Sequence, residues 1–204
     1  MIPLLAVIAV LLAYNWMFPI VKAYLYGETI PSRVRNNSDR PGWFIIHVFT
    51  GTTALLVGTL QMYKKLRSSY RGLHRWLGRL YVALVFASTG TSLALDPRLS
   101  IYGTDILRPL AAALWFGCTV LGVIAIRKRD VDGHRRWMTR SYILAYMGIT
   151  FLILSGFCKV VGMPIEIRYP LVIWGSLLIN VTIAELVVRR SNNQLRNAIS
   201  AVGA

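Results

Sequence analysis

Apolar residues in this chain fall into long blocks separated by short polar stretches. The blocks cover residues 2–26, 42–63, 76–95, 106–126, 137–161 and 169–188. Each is close to the roughly 20 residues that an α-helix needs to cross a bilayer. The separators carry helix-stopping signals: Pro31, Ser32, Asn36 and Asn37 after the first block, Asp96-Pro97 after the third, Gly162-Met163-Pro164 after the fifth. The pattern predicts an all-α fold, a polytopic membrane bundle of six transmembrane helices forming a single membrane domain over 1–204. The tail at 189–204 is polar and shows no fold of its own. No base precedes the first block, and it ends in aromatics. It therefore reads as a retained helix kinked at Pro19, not as a cleaved leader.

Composition agrees with that pattern. Of 204 residues, 55% are hydrophobic and only 15% charged, where a soluble domain carries about a quarter charged residues. The mean hydropathy is +0.53. A net charge of +15 on a soluble chain would suggest nucleic acid. Here the bases crowd into loops between apolar blocks, so the expected partners are the lipid bilayer and its anionic headgroups, and no nucleic acid. Lysine and arginine number fifteen over 64–79, 127–140 and the tail, against seven over 28–40, 98–108 and 159–168. The richer set belongs in the cytoplasm, which predicts cytoplasmic N and C termini. Cys118 and Cys158 both lie inside apolar blocks and form no metal motif or disulfide framework. No Gly-rich phosphate loop, His-Glu-x-x-His or carboxylate pair is present, so hydrolytic and phosphoryl-transfer chemistry have no support.

One pattern occurs twice. Tyr70-Arg71-Gly72-Leu73-His74-Arg75-Trp76-Leu77-Gly78-Arg79-Leu80-Tyr81 returns, altered, as Asp132-Gly133-His134-Arg135-Arg136-Trp137-Met138-Thr139-Arg140-Ser141-Tyr142. Aligned on the tryptophans, both copies read Gly-x-x-Arg-Trp-x-x-Arg-x-Tyr. The histidine comes one residue earlier in the second copy, which would turn its side chain by about 100° on a helix. A His134 lying on a loop before the helix would escape that rotation. Imidazoles on two facing helices can hold a six-coordinate haem iron. Arg75, Arg79, Arg136 and Arg140 would suit its anionic propionates. The plainer account is that these are interfacial residues, with Trp76 and Trp137 in an aromatic belt.

His47 lies inside the second block, and an ionisable group there is a candidate functional residue. It shares a helix face with Gly51, Ala54 and Gly58, at spacings of four, three and four. Those small residues could leave room for a flat cofactor, or allow close helix packing. His47 could also be a neutral ring bonded to Thr50 or to a neighbouring helix. From His47 to Tyr63 is sixteen residues, about 24 Å of helix, so His47 cannot share an iron with His74 or His134. Glu185 in the sixth block reads as a carboxylate snorkelling toward the basic tail near Arg189.

Trp43-Phe44-Ile45-Ile46-His47 with Gly51, and the two copies of the repeat, resemble the predicted bacterial membrane proteins grouped as domain of unknown function 2306, over roughly residues 42–188. That resemblance implies a multi-pass protein of the bacterial cytoplasmic membrane. More distantly, the histidines on spans two, three and five resemble the six-span, di-haem b-type cytochromes that carry electrons from ascorbate. There, spans three and five hold one haem and spans two and four the other. His74 and His134 match the three–five pair as metal ligands, while span four of this chain has no histidine. The resemblance thus implies one b-type haem at the cytoplasmic face, for electron transfer or redox sensing. An enzyme on that reading would be a membrane haem-dependent oxidoreductase. A non-catalytic assembly factor or partner subunit, and a small transporter, are the alternatives.

Overall fold

The computed structural model describes residues 41–94 and 106–202, and these hold seven helices and no strand. They are α1 (Pro41–Gln61), α2 (Lys64–Ser69), α3 (Arg71–Ala94), α4 (Leu107–Arg127), α5 (Val131–Ala145), α6 (Met147–Val160) and α7 (Ile165–Val202). Five stretches are long and apolar enough to cross a membrane: Gly42–Gln61, Arg71–Ala94, Leu107–Arg127, Val131–Val160 and Ile165–Gln194. They match the second to sixth apolar blocks. The first block, with its Pro19 kink, lies outside the described residues.

The boundaries differ from those of the blocks. Residues 64–75 read as a loop, yet α2 forms there and α3 begins at Arg71. Residues 127–136 read as a second loop, yet α5 begins at Val131, so His134 is not on a loop. Lysine and arginine are good helix formers, so a basic sequence need not end a helix. Asp130 starts α5 as its N-cap, accepting a hydrogen bond from the Gly133 amide at 2.7 Å. The α4–α5 turn is tight, and Arg129 adopts a left-handed conformation there, with φ +64°. The fifth span is interrupted at Tyr146, which separates α5 from α6. Gly162 ends α6 in the left-handed region (φ +75°), and the Met163 amide donates to the Cys158 carbonyl at 3.0 Å. Residues 189–202 continue α7. That helix has 38 residues, about 57 Å at 1.5 Å per residue, which exceeds the hydrocarbon thickness.

Four elements form the central bundle. α1 packs on α3, α4 on α5, α3 on α4 and α5 on α1, while α7 packs outside on α5 and α6. The interior mixes leucine and valine, among them Val85 and Leu107, with small, hydroxylated and phenolic residues. Ser88, Thr119, Ser141 and Tyr81 are almost wholly buried. Large apolar side chains face outward, Phe157 at 68% exposed and Ile153 and Leu178 at 60% each. A soluble protein would not present such a surface, and lipid accounts for it.

Two groups of polar bonds cross the bundle. The Tyr81 hydroxyl lies 2.8 Å from Ser141 Oγ, which lies 2.7 Å from Thr119 Oγ1; Trp115 Nε1 donates to the Tyr81 oxygen at 3.4 Å. These bonds join α3, α4 and α5. On the other side the Tyr142 hydroxyl lies 2.8 Å from Thr59 Oγ1 and 2.7 Å from the Tyr146 hydroxyl, joining α1 to α5. Tyr81 and Tyr142 are the tyrosines of the two repeat copies. Both rings pack over Gly58, where a β-carbon would come within 2.6 Å of Tyr142 Cδ2 and 3.0 Å of Tyr81 Cε2. Gly58→Ala is therefore expected to lower the melting temperature of the detergent-solubilised protein. Overpacking costs about 1–3 kcal/mol, against a gain of about 1 kcal/mol in helix propensity. Gly117→Ala and Gly148→Ala place the new methyl in open space and should leave the melt unchanged or raise it. A Gly58→Ala protein that melts with or above the wild type would show that the two rings do not constrain this position.

Candidate functional site

His74 and His134 are each the fourth residue of their helix, α3 and α5. Each closes its first turn: the His74 amide donates to Tyr70 O at 2.9 Å and the His134 amide to Asp130 O at 3.0 Å. The one-residue offset in the repeat therefore lies in where the helices start relative to Trp76 and Trp137. Measured from the helix start, the two histidines are equivalent.

The structure brings them to the same end of the bundle. Seven residues beyond each of them, Tyr81 and Ser141 bond across the bundle at 2.8 Å. The two basic segments also meet there. Burial and the nearby Arg135 hold the Arg67 guanidinium below its ordinary pKa. Arg75 and Arg136 lie in the second turns of α3 and α5 and Arg79 in the third turn of α3, and Arg75 Nε donates to Arg71 O within its own helix at 3.4 Å. Arg140 is engaged elsewhere. It pairs in bidentate fashion with Glu185 of α7, Nε to Oε1 at 2.6 Å and Nη2 to Oε2 at 3.1 Å, and lies 4.8 Å over the Trp137 ring. Glu185, read from the sequence as leaning toward the tail, thus anchors α5.

The ring nitrogens follow a rule. His134 Nδ1 lies 2.8 Å from the Gly122 carbonyl on α4, and His47 Nδ1 lies 2.8 Å from the Ser88 carbonyl on α3. A carbonyl only accepts, so both rings carry their proton on Nδ1 when neutral. Their Nε2 atoms make no hydrogen bond among the described residues. His47 is the neutral ring bonded to a neighbouring helix. Its neighbour Thr50 bonds back to Ile46 O at 2.7 Å instead. His74 differs, since its Nδ1 is buried with no partner. Close to it lies a residue that sequence reasoning missed. Gln61, at the end of α1, donates from Nε2 to the His74 carbonyl at 2.8 Å, and its own Oε1 is buried without a partner. Its place in an apolar block, outside either repeat, gave no signal.

His74 and His134 are thus two imidazoles at one end of the bundle, His134 with its Nδ1 on a carbonyl and His74 with its Nδ1 buried and without a hydrogen-bond partner. Among the described residues no cluster of three or more His, Cys, Asp or Glu could hold a metal ion. His47 has no such partner. Fourteen residues of α1 separate it from Gln61, about 21 Å of helix, which puts it near the opposite end.

A family model described as "Predicted membrane protein (DUF2306)" matches residues 44–188. The chain belongs to this family. The match spans most of the central bundle and both repeat copies. No curated protein and no solved structure matches the chain. Membership makes it a membrane protein, in agreement with its apolar spans.

The two repeat tryptophans have different surroundings. Trp76 is 60% exposed, whereas Trp137 packs against the cluster of Leu107, Cys118, Leu144 and Leu177. Trp76→Tyr should leave the melt unchanged. Trp137→Tyr should lower it, because that ring also lies beneath Arg140. Equal melts for the two variants would show both to be belt residues only. Arg140→Lys should also lower the melt, because an ammonium cannot replace the fork. A double-mutant cycle with Glu185→Gln should return a coupling of about 0.5–1 kcal/mol, as for a pair open to solvent.

Proposed function

We propose that this protein binds one b-type haem at the cytoplasmic end of its bundle and serves electron transfer or redox sensing. The observation that supports the reading is the placement of His74 and His134 at equivalent helix positions and at one end of the bundle, each seven residues before a partner in the Tyr81–Ser141 bond. Haem b, when bound, supplies a one-electron iron couple. The chain's own residues would do the rest. His74 and His134 would hold the haem iron, each as a neutral imidazole. The Gly122 carbonyl orients the His134 ring and fixes its tautomer. Arg75, Arg79 and Arg136 would pair with the propionates at the membrane surface. Arg140, held by Glu185, fixes the rotation of α5 and with it the direction of His134. The tyrosines, Trp115 and Met138 below exclude water from the bundle.

The cytoplasmic placement rests on the basic residues of α2, α3, α5 and the α4–α5 turn, which lie at the histidine end. In a background lacking Cys118 and Cys158, Ser68→Cys should be shielded from an impermeant thiol reagent in intact cells, and Glu166→Cys should react. The reverse pattern would invert the orientation. Protein purified after haem-supplied expression should give a reduced-minus-oxidised spectrum of low-spin haem. His74→Ala and His134→Ala should each abolish that spectrum, and His47→Ala should leave it. A colourless wild-type protein would sink the haem reading. So would a haem that survives the loss of either repeat histidine.

A further inference from the structure

Three histidines face three partner helices, and two of them follow one rule: Nδ1 donates to a carbonyl on the helix alongside. For His47 that carbonyl belongs to Ser88, for His134 to Gly122. His74 packs beside the end of α1, and what it meets there is the side chain of Gln61. Gln61 is 7% exposed. The orientation of its carboxamide is determined, because the group 2.8 Å from the His74 carbonyl has to be the donor, Nε2. The other carboxamide atom, Oε1, can only accept, and it is buried and unsatisfied. His74 Nδ1 is also buried and unsatisfied, and its main chain is already bound to Gln61. The residue that holds the His74 main chain thus carries an unfilled acceptor, and the His74 ring carries a nitrogen without a partner. A buried polar atom left unpaired loses its hydrogen bonds to water without replacement.

We propose that Gln61 is the positioning residue of His74: its carboxamide oxygen takes the Nδ1 proton, directly or across one buried water, and so leaves Nε2 to bind a ligand. Both routes give the same tautomer. A water between two such groups has the polar partners it requires. Gln61 then does for His74 what the Gly122 carbonyl does for His134, and the two imidazoles present the same nitrogen. A backbone carbonyl cannot be removed by substitution, but a glutamine can. His74 is thus the one histidine whose tautomer is set by a side chain. The support of a ligand rests on the haem reading, whereas the tautomer does not.

Nitrogen-15 spectra of the histidine rings decide between the cases, on the full chain in detergent, without haem, at a pH where all three rings are neutral. The resonances are assigned by removing one histidine at a time. In the wild type all three rings should carry the proton on Nδ1. In Gln61→Leu, His74 alone should lose that signal and move to the Nε2-protonated form or to a mixture. Gln61→Glu keeps an acceptor and should restore the Nδ1 proton. The wild-type spectrum needs no variant: a His74 protonated on Nε2 overturns the proposal outright. So does a Gln61→Leu protein in which His74 is unmoved. With haem bound, Gln61→Leu should raise the reduction potential, because a ring without its Nδ1 acceptor is a poorer donor to ferric iron. A colourless protein would end the haem reading and leave the tautomer measurement intact.

Discussion

Lipid chains are as apolar as leucine, so a bundle in a bilayer gains little by turning its apolar residues inward. The helices here are held by what lipid cannot offer: close backbone approach and hydrogen bonds between hydroxyls. Tyr81 and Tyr142 provide both. Each phenol bonds to a hydroxyl on another helix, and both rings rest on the same glycine, Gly58. Through Ser141, Thr119 and Thr59 they tie together all four helices of the central bundle. The two repeat copies are thus two halves of one core, joined across the bundle and not merely similar in sequence.

That core fixes the ends of the bundle. Tyr81 lies seven residues after His74 and Tyr142 eight after His134, so each histidine stands about two turns from a phenol at the centre. Once the phenols are docked, both imidazoles are committed to one end. The Arg140–Glu185 pair adds a hold on the rotation of α5 from outside, where α7 passes.

Apolar blocks and repeated letters were the parts of this arrangement legible in the sequence. Five blocks are matched by spans in the described residues, and the small face of α1 at Gly51, Ala54 and Gly58 is indeed where another helix comes close. Helix starts were not legible. Hydropathy registers where lipid ends, whereas Val131 begins a helix because Asp130 caps it, and Arg71 because basic residues favour helix. The same blindness hid the continuation of α7 past Val188. The break at Tyr146 carries no proline or glycine of its own to announce it. In the site, the histidines stood out by repetition, but their carbonyl partners on Ser88 and Gly122 are backbone atoms and leave no letter. Gln61 leaves one, but without a counterpart in the second copy nothing drew attention to it. Arg140 was read as one of four equivalent arginines. Only the passage of α7 beside α5 separates it from the others.

The capped start of α5 bears on how the repeat could have diverged. Gly72 and Gly133 occupy the same letter of the motif, but nothing lies within 4 Å of a β-carbon at Gly72, while one at Gly133 would collide with the Asp130 carboxylate that caps the helix. One glycine is free to drift, and the other is locked for as long as the aspartate remains. The two glycines are thus not interchangeable: a side chain at the first meets open space, and one at the second would displace the carboxylate that starts the helix.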